Sequence, residues 1–187
     1  MRLFLSFNIE PNIKDEFFKV QRELSGKLSH LPQRAIKWED KSKFHLTIFF
    51  LGDVDNPKMS SLISGLESFS AGLNYKEFLF ESSSLGCFPN PKNPRVIFAD
   101  VINPGNDVFE FYDALLIPLK NAGFIPDKKF HLHITFGRVK YRGRFNIENE
   151  MKSINFGINF SVNGFYLMQS VIDSHGSVYK EIKKFAI

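Results

Sequence analysis

Two segments of the sequence repeat one short pattern, and this repeat constrains the fold more than any other feature. One segment reads F-H-L-T-I-F-F-L-G and the other, in the last third of the chain, reads F-H-L-H-I-T-F-G-R. Because strand side chains alternate between two faces, His45 and Thr47 share one face, and His133 shares one with Thr135. A pseudo-repeat of two sheets facing each other across a cleft would bring both pairs to one point.

The rest of the chain alternates between strand-like and helix-like apolar spacing. Strands are predicted over residues 2–9, 35–38, 44–51, 77–88, 95–102, 130–139, 156–172 and 177–187, and helices over 11–28, 59–69 and 103–123. Asn103 and Pro104 are expected to cap the third helix, and Pro118 is expected to kink or shorten it. Tight turns together with helical crossovers favour an α+β protein with largely antiparallel sheets.

Composition limits the class of protein. A chain of 187 residues is long enough for one domain, so residues 1–187 are predicted to form a single domain that can divide into two lobes. Cys87 is the only cysteine, which excludes an internal disulfide and a cysteine-cluster metal site and favours a reducing compartment. No run of apolar residues is long enough for a membrane span. We therefore expect a cytoplasmic monomer without membrane contact.

The net charge is +4, a mild excess that suits a polyanionic partner without requiring one. No tract of consecutive basic residues occurs, so any RNA contact should be dispersed over a groove. Candidates for such contacts, weighed against ordinary surface charge, are Lys92, Arg95, Arg142 and Arg144. Trp38 and Phe7 are candidates for base stacking, although a place in the core is the simpler expectation for both.

A single H-x-T tripeptide is weak support for catalysis, since a lone histidine beside apolar residues is usually structural. Two copies of the tripeptide, in strands of matching apolar pattern, favour a catalytic role over a structural one. His131, two residues before His133, could seed a metal site through H-L-H, but no other ligand is tied to it in sequence. We expect it to lie at the rim of a site that needs neither metal nor cofactor. His30 and His175 lie in predicted loops and receive no role.

The paired motifs H-L-T-I and H-I-T-F resemble those for which the 2H phosphoesterase superfamily is named, specifically its RNA 2',3'-cyclic phosphodiesterase (2'-5' RNA ligase-like) family. The resemblance extends to R-L-F-L-S-F at the start, to L-G-C-F-P and R-V-I-F-A-D-V in the middle, and to S-V-I-D-S-H-G-S-V-Y near the end. It thus covers nearly the whole chain. It implies a bilobal, pseudo-two-fold fold with a central cleft, and an enzyme that hydrolyses 2',3'-cyclic phosphate ends of RNA, with the reverse 2'-5' ligation as a further activity.

Opening a cyclic phosphodiester requires a base for the attacking water and an acid for the departing ribose oxygen, and two imidazoles can supply both near neutral pH. The resemblance implies that His45 is the acid for the 3'-oxygen and His133 the base, which yields a 2'-phosphomonoester. The residues alone leave the two roles interchangeable.

The threonine hydroxyls are expected to donate hydrogen bonds to the phosphate, because Thr47 and Thr135 share the faces of the histidines. Arg138 matches a basic position common in the family and could also bind phosphate. In a regular strand, however, it would point away from His133 unless Gly137 forms a bulge.

Two other functions stay open. The first is a 2H phosphodiesterase for small cyclic nucleotides, because the histidine pair recognises the phosphate ring more directly than the rest of a substrate. The second is an RNA-binding module without catalysis.

Overall fold

The computed structural model describes residues 1–126, 129–141, 143, 145–173 and 176–187. The strands in these residues are β1 (Arg2–Asn8), β2 (Ile36–Trp38), β3 (His45–Asp53), β4 (Phe78–Phe88), β5 (Val96–Ile102), β6 (His133–Val139), β7 (Ile158–Val162), β8 (Phe165–Asp173) and β9 (Gly176–Phe185). The helices are α1 (Pro11–Lys27), α2 (Asn56–Ala71), α3 (Asp107–Asn121) and α4 (Glu148–Lys152), with a 3-10 turn at Lys41–Lys43.

The strands form two antiparallel sheets. The first sheet has the order β3-β1-β8-β9, and the second has the order β2-β6-β5-β4-β7. Every strand pair within the described residues is antiparallel. Strand β3, at an edge of the first sheet, lies against β6 of the second. The predicted α+β class is confirmed, and the two histidine segments meet where the sheets approach each other.

One apolar core joins the two sheets. Phe7 of β1 is fully buried, and its ring centroid lies 5.6 Å from that of Phe78 and 5.8 Å from that of Phe80, both on β4. On the side of α1, Phe17 packs against Phe136 of β6 with the ring centroids 6.3 Å apart. Each fully buried side chain of this size contributes about 1.5–3 kcal/mol. Phe7 therefore holds the sheets together and is not available to stack a base.

The third helix starts later than its sequence predicts. It begins at Asp107, and Asn103 stabilises it from outside, because the Asn103 Oδ1 accepts a hydrogen bond from the backbone N–H of Val108 at 3.0 Å. Pro118 lies inside the helix and does not end it, since the chain continues helically to Asn121. Pro118 was predicted to kink or shorten the helix: the helix does not end there, and a kink stays a prediction. A proline removes one hydrogen bond of a helix, and the packed apolar face of α3 tolerates this loss near its end.

The predicted strand over residues 156–172 is two strands, β7 and β8, which belong to different sheets. The chain changes sheets at Gly164, where an added Cβ would lie 2.6 Å from the backbone oxygen of Phe185. Apolar residues lie on both sides of this break, so the spacing of apolar residues alone does not reveal it. The turn predicted between β8 and β9 includes Ser174 and His175, which lie outside the described residues. Within the described residues, no helix is long and apolar enough to cross a membrane.

Candidate active site

Strands β3 and β6 have the same local architecture. In both, the first seven residues follow one burial sequence, in which the histidine and the threonine are half-buried and the sixth residue is exposed. The register of β3 against β1 shifts after Thr47, and the register of β6 against β5 shifts after Thr135. Each shift inserts one extra residue, which is a β-bulge. The two halves of the site are therefore related in backbone geometry as well as in sequence.

The bulges decide which residue follows the threonine on the cleft face. In β6 the extra residue lies between Thr135 and Gly137, so the alternation is reset and Arg138 returns to the face of His133. In β3 the equivalent bulge returns Phe50, which is 60% exposed, to the face of Thr47. The bulge that the sequence required for Arg138 to face the site is present, and the matching position of the first strand carries an aromatic ring.

The two imidazoles are held by equivalent hydrogen bonds. The Nδ1 atom of His45 lies 2.6 Å from the backbone oxygen of Lys43, and that of His133 lies 2.8 Å from the backbone oxygen of His131. A carbonyl oxygen only accepts, so Nδ1 carries the proton in both rings. The Nε2 atom of each ring is then the nitrogen that can take up or release a proton. In His45 this atom lies 3.0 Å from the Thr47 hydroxyl oxygen.

A pair of aromatic rings contacts each histidine. The His45 ring centroid lies 5.1 Å from that of Phe4 and 5.2 Å from that of Tyr179. On the other side, the His133 centroid lies 5.5 Å from that of Phe88 and 5.1 Å from that of Phe98. Within each pair the two rings also contact each other. This apolar packing fixes both imidazole planes and removes water from their faces.

A cavity of about 580 Å³ lies between the two histidine strands. Thr47 of β3 and His133 of β6 both line it, so the two motifs share one space. Phe50 and Phe88 border the same cavity, and both rings are substantially exposed, at 60% and 40%. Lys129 contributes a positive charge at its edge. The cavity is large enough for a nucleoside and offers aromatic faces beside the motifs.

Burial changes the proton affinity of His45. The pKa of the imidazole is lowered to about 4, mainly because burial removes its hydration. The hydrogen bond to the backbone oxygen of Lys43 partly offsets this decrease. The positive charges of Lys14 and Arg138, and His133 when protonated, lower the pKa further. His45 is consequently neutral at neutral pH in the free protein.

Burial also lowers the pKa of His133, with smaller decreases from His131 and Arg138. The carbonyl oxygen of His131 and the carboxylate of Asp100 act in the opposite direction. His131 Nε2 lies 3.3 Å from Asp100 Oδ1, so this side of the site carries a negative charge. Among the described residues, no group of three or more His, Cys, Asp or Glu side chains is placed to hold a metal ion.

Arg138 is supported from behind. Its Nε lies 3.5 Å from Oε1 of Glu39, whose side chain is only 17% exposed. The backbone around Glu39 is fixed by Gln21 of α1, which is buried and whose Nε2 donates to the backbone oxygens of Glu39 and Phe136, each at 2.8 Å. The helix thus locks the end of β2 onto the bulge of β6. The positive charge of Arg138 lowers the pKa values of His45, His133 and Tyr179.

The remaining sequence candidates lie outside this cluster or outside the described residues. Lys92 and Arg95 are exposed on the surface. Trp38 is half-buried and packs over Gly137, where an added Cβ would lie 3.0 Å from its ring. His30 is exposed, and its Nδ1 lies 3.2 Å from the backbone oxygen of Lys27. The candidates whose placement falls outside the described residues are Arg142, Arg144 and His175.

Several residues at the site carried no prediction. They are Phe4, Glu39, Phe50, Phe88, Phe98, Asp100 and Tyr179. Most of them lie within the segments on which the family resemblance rests, so those segments mark the surroundings of the histidines. Phe50 could not be found by strand alternation, because its orientation depends on the bulge.

The chain is similar to known proteins in both sequence and fold. Residues 8–98 match the family described as LigT like Phosphoesterase. The chain is 30% identical to a protein of Methanocaldococcus jannaschii named RNA 2',3'-cyclic phosphodiesterase, over 99% of this chain and 100% of that protein. It is 29% identical to an Archaeoglobus fulgidus protein of the same name, over 99% of both. The crystal structure of TT0787 from Thermus thermophilus superposes with a TM-score of 0.80, at 25% identity over 100% of this chain and 97% of that one.

Proposed function

The chain belongs to the LigT-like phosphoesterase family, and from this premise we propose that it hydrolyses 2',3'-cyclic phosphate ends of RNA to 2'-phosphomonoesters. The observation that carries the proposal is the equivalent anchoring of two imidazoles, each through Nδ1 on a backbone carbonyl, on two strands whose motif residues Thr47 and His133 line one cavity. His45 and His133 are the proton-transfer pair. The relatives' names support the substrate class, and the site geometry supports the type of reaction.

In the proposed reaction, neutral His133 takes a proton from water at its Nε2 while the water oxygen attacks phosphorus. The bond between phosphorus and the 3'-oxygen breaks, and protonated His45 gives its Nε2 proton to that oxygen. The phosphate stays on the 2'-oxygen. A second turnover requires His133 to lose, and His45 to regain, one proton each, which exchange with solvent supplies. The assignment of acid and base follows the family, since the geometry treats both rings alike.

His45 must be protonated to act as the acid, although its pKa is about 4 in the free protein. The bound cyclic phosphate carries a negative charge, and a nearby anion raises the pKa of an imidazole. Substrate binding therefore favours the protonated form of His45, which is the form that acts as the acid. The Thr47 hydroxyl donates to the neutral His45 ring at 3.0 Å in the free protein. Once Nε2 is protonated it can no longer accept, so the Thr47 hydroxyl is released to donate to the phosphate.

Thr135 and Arg138 complete the phosphate site in this proposal. Thr135 occupies the position in β6 that Thr47 occupies in β3, and Arg138 is directed to the same face by the bulge. Hydroxyl and guanidinium donors stabilise the charge that builds on the non-bridging oxygens during attack. The roles of Thr47, Thr135 and Arg138 thus follow from one shared face of two related strands.

The exposed rings around the cavity favour RNA over a bare cyclic phosphate. Phe50 and Phe88 offer stacking faces for the terminal base, and Lys129 offers a contact for the backbone. Base stacking on aromatic residues contributes about 1–3 kcal/mol per base. The cyclic end of a single strand fits this arrangement. Reverse 2'-5' ligation, a monomeric state, a cytoplasmic location and the division of residues 1–187 into one domain of two lobes belong to the same proposal.

The decisive experiment uses a defined oligoribonucleotide that ends in a 2',3'-cyclic phosphate. Wild-type protein should produce a 2'-phosphate end, identified by its resistance or sensitivity to position-specific enzymes. His45→Ala and His133→Ala should each reduce the rate about 10² to 10⁴ fold. His30→Ala, at an exposed histidine outside the site, is the matched control and should retain full activity.

The other outcomes identify the alternatives. Equal turnover of a mononucleotide cyclic phosphate and the oligonucleotide would favour a small-molecule phosphodiesterase. Tight binding of the RNA with no product at any pH would favour a binding module. Loss of activity with EDTA that Zn²⁺ or Mn²⁺ restores would overturn the metal-free mechanism and point to His131 and His133 as ligands.

A further inference from the structure

Tyr179 lies in β9 and packs against the His45 ring. The ring centroids are 5.2 Å apart and the planes meet at 83°, which is an edge-to-face contact. Tyr179 makes a second edge-to-face contact with Phe4, at 5.1 Å and 71°. It closes the segment S-V-I-D-S-H-G-S-V-Y, which marks the family but which the mechanism so far does not use. The residue therefore lies beside the proposed acid without an assigned chemical role.

The pseudo-symmetry of the site shows that the Tyr179 hydroxyl is not needed for packing. His133 is contacted by two phenylalanines, Phe88 and Phe98, in the place where His45 is contacted by Phe4 and Tyr179. A phenylalanine would give His45 the same ring contact. A half-buried phenol costs free energy in desolvation unless its hydroxyl gains a partner. The tyrosine thus carries one hydroxyl more than the packing requires.

The hydroxyl has no hydrogen-bond partner in the described part of the chain. Burial and the charge of Glu39 raise the pKa of the phenol, while the charges of Arg138 and Arg2 lower it by less. The net rise keeps the hydroxyl protonated, and hence a donor, over the whole working range of a histidine pair. Arg138 also acts on both imidazoles. The Tyr179 ring lies against His45, whose strand β3 contacts β6 of the second sheet, so the phenol lies beside the approach of the two motifs.

We propose that the Tyr179 hydroxyl contacts the substrate and donates a hydrogen bond to a non-bridging oxygen of the phosphate held between His45 and His133. The inference rests on the proposed function and adds a third hydroxyl donor to those of Thr47 and Thr135. It breaks the symmetry of the site, because the donor lies on the His45 side alone. The extra donor strengthens the hold on the phosphate next to the leaving oxygen.

Tyr179→Phe tests this role, because it keeps the ring contact with His45 and removes only the hydroxyl. We expect kcat/KM for the cyclic end to fall about tenfold to a hundredfold, as for the loss of a hydrogen bond to a charged group. Inorganic phosphate should bind more weakly by a similar factor, measured from the shift of the His45 ring resonances in NMR. In the free protein the pKa of His45 should stay unchanged, since the ring stays in place.

Tyr75→Phe is the matched control, because Tyr75 packs on Phe78 away from the histidines, and its activity should equal that of wild type. Equal phosphate affinity of wild type and Tyr179→Phe would overturn the assignment of Tyr179. A changed His45 pKa in free Tyr179→Phe would show that the hydroxyl acts on the ring and would also overturn it. Wild-type protein that binds phosphate but leaves the cyclic end intact would instead overturn the proposed function, so the two failures are separable.

Discussion

Arg138 lies against Glu39, with its Nε 3.5 Å from the Oε1 of the carboxylate. Glu39 is itself fixed, because Gln21 holds its backbone oxygen and its N–H donates to the Phe136 oxygen at 2.8 Å. A guanidinium oriented before the substrate arrives loses less conformational entropy on binding phosphate. We therefore infer that Glu39 positions Arg138 in the free protein.

Glu39→Gln should weaken catalysis moderately without harming the fold. It preserves the size of the side chain but removes the charge that orients Arg138. The Arg138–Glu39 ion pair is half exposed, and such pairs contribute about 0–1 kcal/mol to stability. We expect kcat/KM to fall about two- to fivefold. The pKa of Tyr179 should decrease, because Glu39 raises it in the wild type. Ultraviolet titration measures the phenol, and the exposed Glu23→Gln serves as control. Identical kinetics of the two variants would contradict the role of Glu39.

The pH profile of the enzyme should lie on the acid side of an ordinary histidine pair. Burial lowers the pKa of both His45 and His133 below 6.5, and kcat/KM reports the ionisation of the free enzyme. The bell-shaped pH profile of kcat/KM should therefore have both of its apparent pKa values below about 6.5. The kcat profile should lie at higher pH, since the bound phosphate raises the pKa values. Steady-state rates across the pH range test this, and coincident profiles would show that substrate does not load the acid.

His45 should also make the stability of the fold depend on pH. Its pKa is about 4 in the folded protein and 6.5 as the ordinary value. Between these values the unfolded chain binds a proton at this histidine that the folded chain does not. The contribution of His45 to the free energy of unfolding is therefore fully present above pH 6.5 and is lost as the pH decreases towards 4. Urea unfolding at about pH 7 and about pH 4.5 should show a smaller loss for His45→Gln than for wild type. His30→Gln should lose as much free energy of unfolding as wild type. An equal loss in wild type, His45→Gln and His30→Gln would contradict the burial of His45.

Strand periodicity predicted which motif residues share a face but not the full geometry of the site. His45, Thr47, His133 and Thr135 could be assigned to cleft faces because alternation is a local property of a strand. The orientation of Arg138 depends on a bulge, and a bulge is set by the pairing of β6 with β5, which sequence spacing does not reveal. The division between β7 and β8 was missed because the two strands belong to different sheets, which is also a matter of strand pairing. Tyr179 lies on β9, which β1 and β8 separate from β3 in the sheet, so its contact with His45 is a tertiary property.

Gly86 has a structural role that the sequence motif L-G-C-F-P does not explain by itself. It pairs with Phe98 across β4 and β5, and a Cβ at Gly86 would lie 2.2 Å from Cε2 of that ring. Phe98 in turn packs on His133 at 5.1 Å. The glycine lets the ring lie flat on the strand, and the ring then supports the imidazole.

Gly86→Ala should therefore damage stability and activity together. The added methyl must push Phe98 aside, and overpacking of this kind costs about 1–3 kcal/mol. Displacement of the ring exposes one face of His133 to water, so the pKa of His133, which burial lowers, should rise towards its ordinary value. Urea unfolding and NMR titration of the ring measure the two effects. Gly157→Ala is the matched control, because nothing lies within 4 Å of a Cβ there and its stability should equal that of wild type. A destabilised Gly86→Ala with an unchanged His133 pKa would show that Phe98 does not support the imidazole.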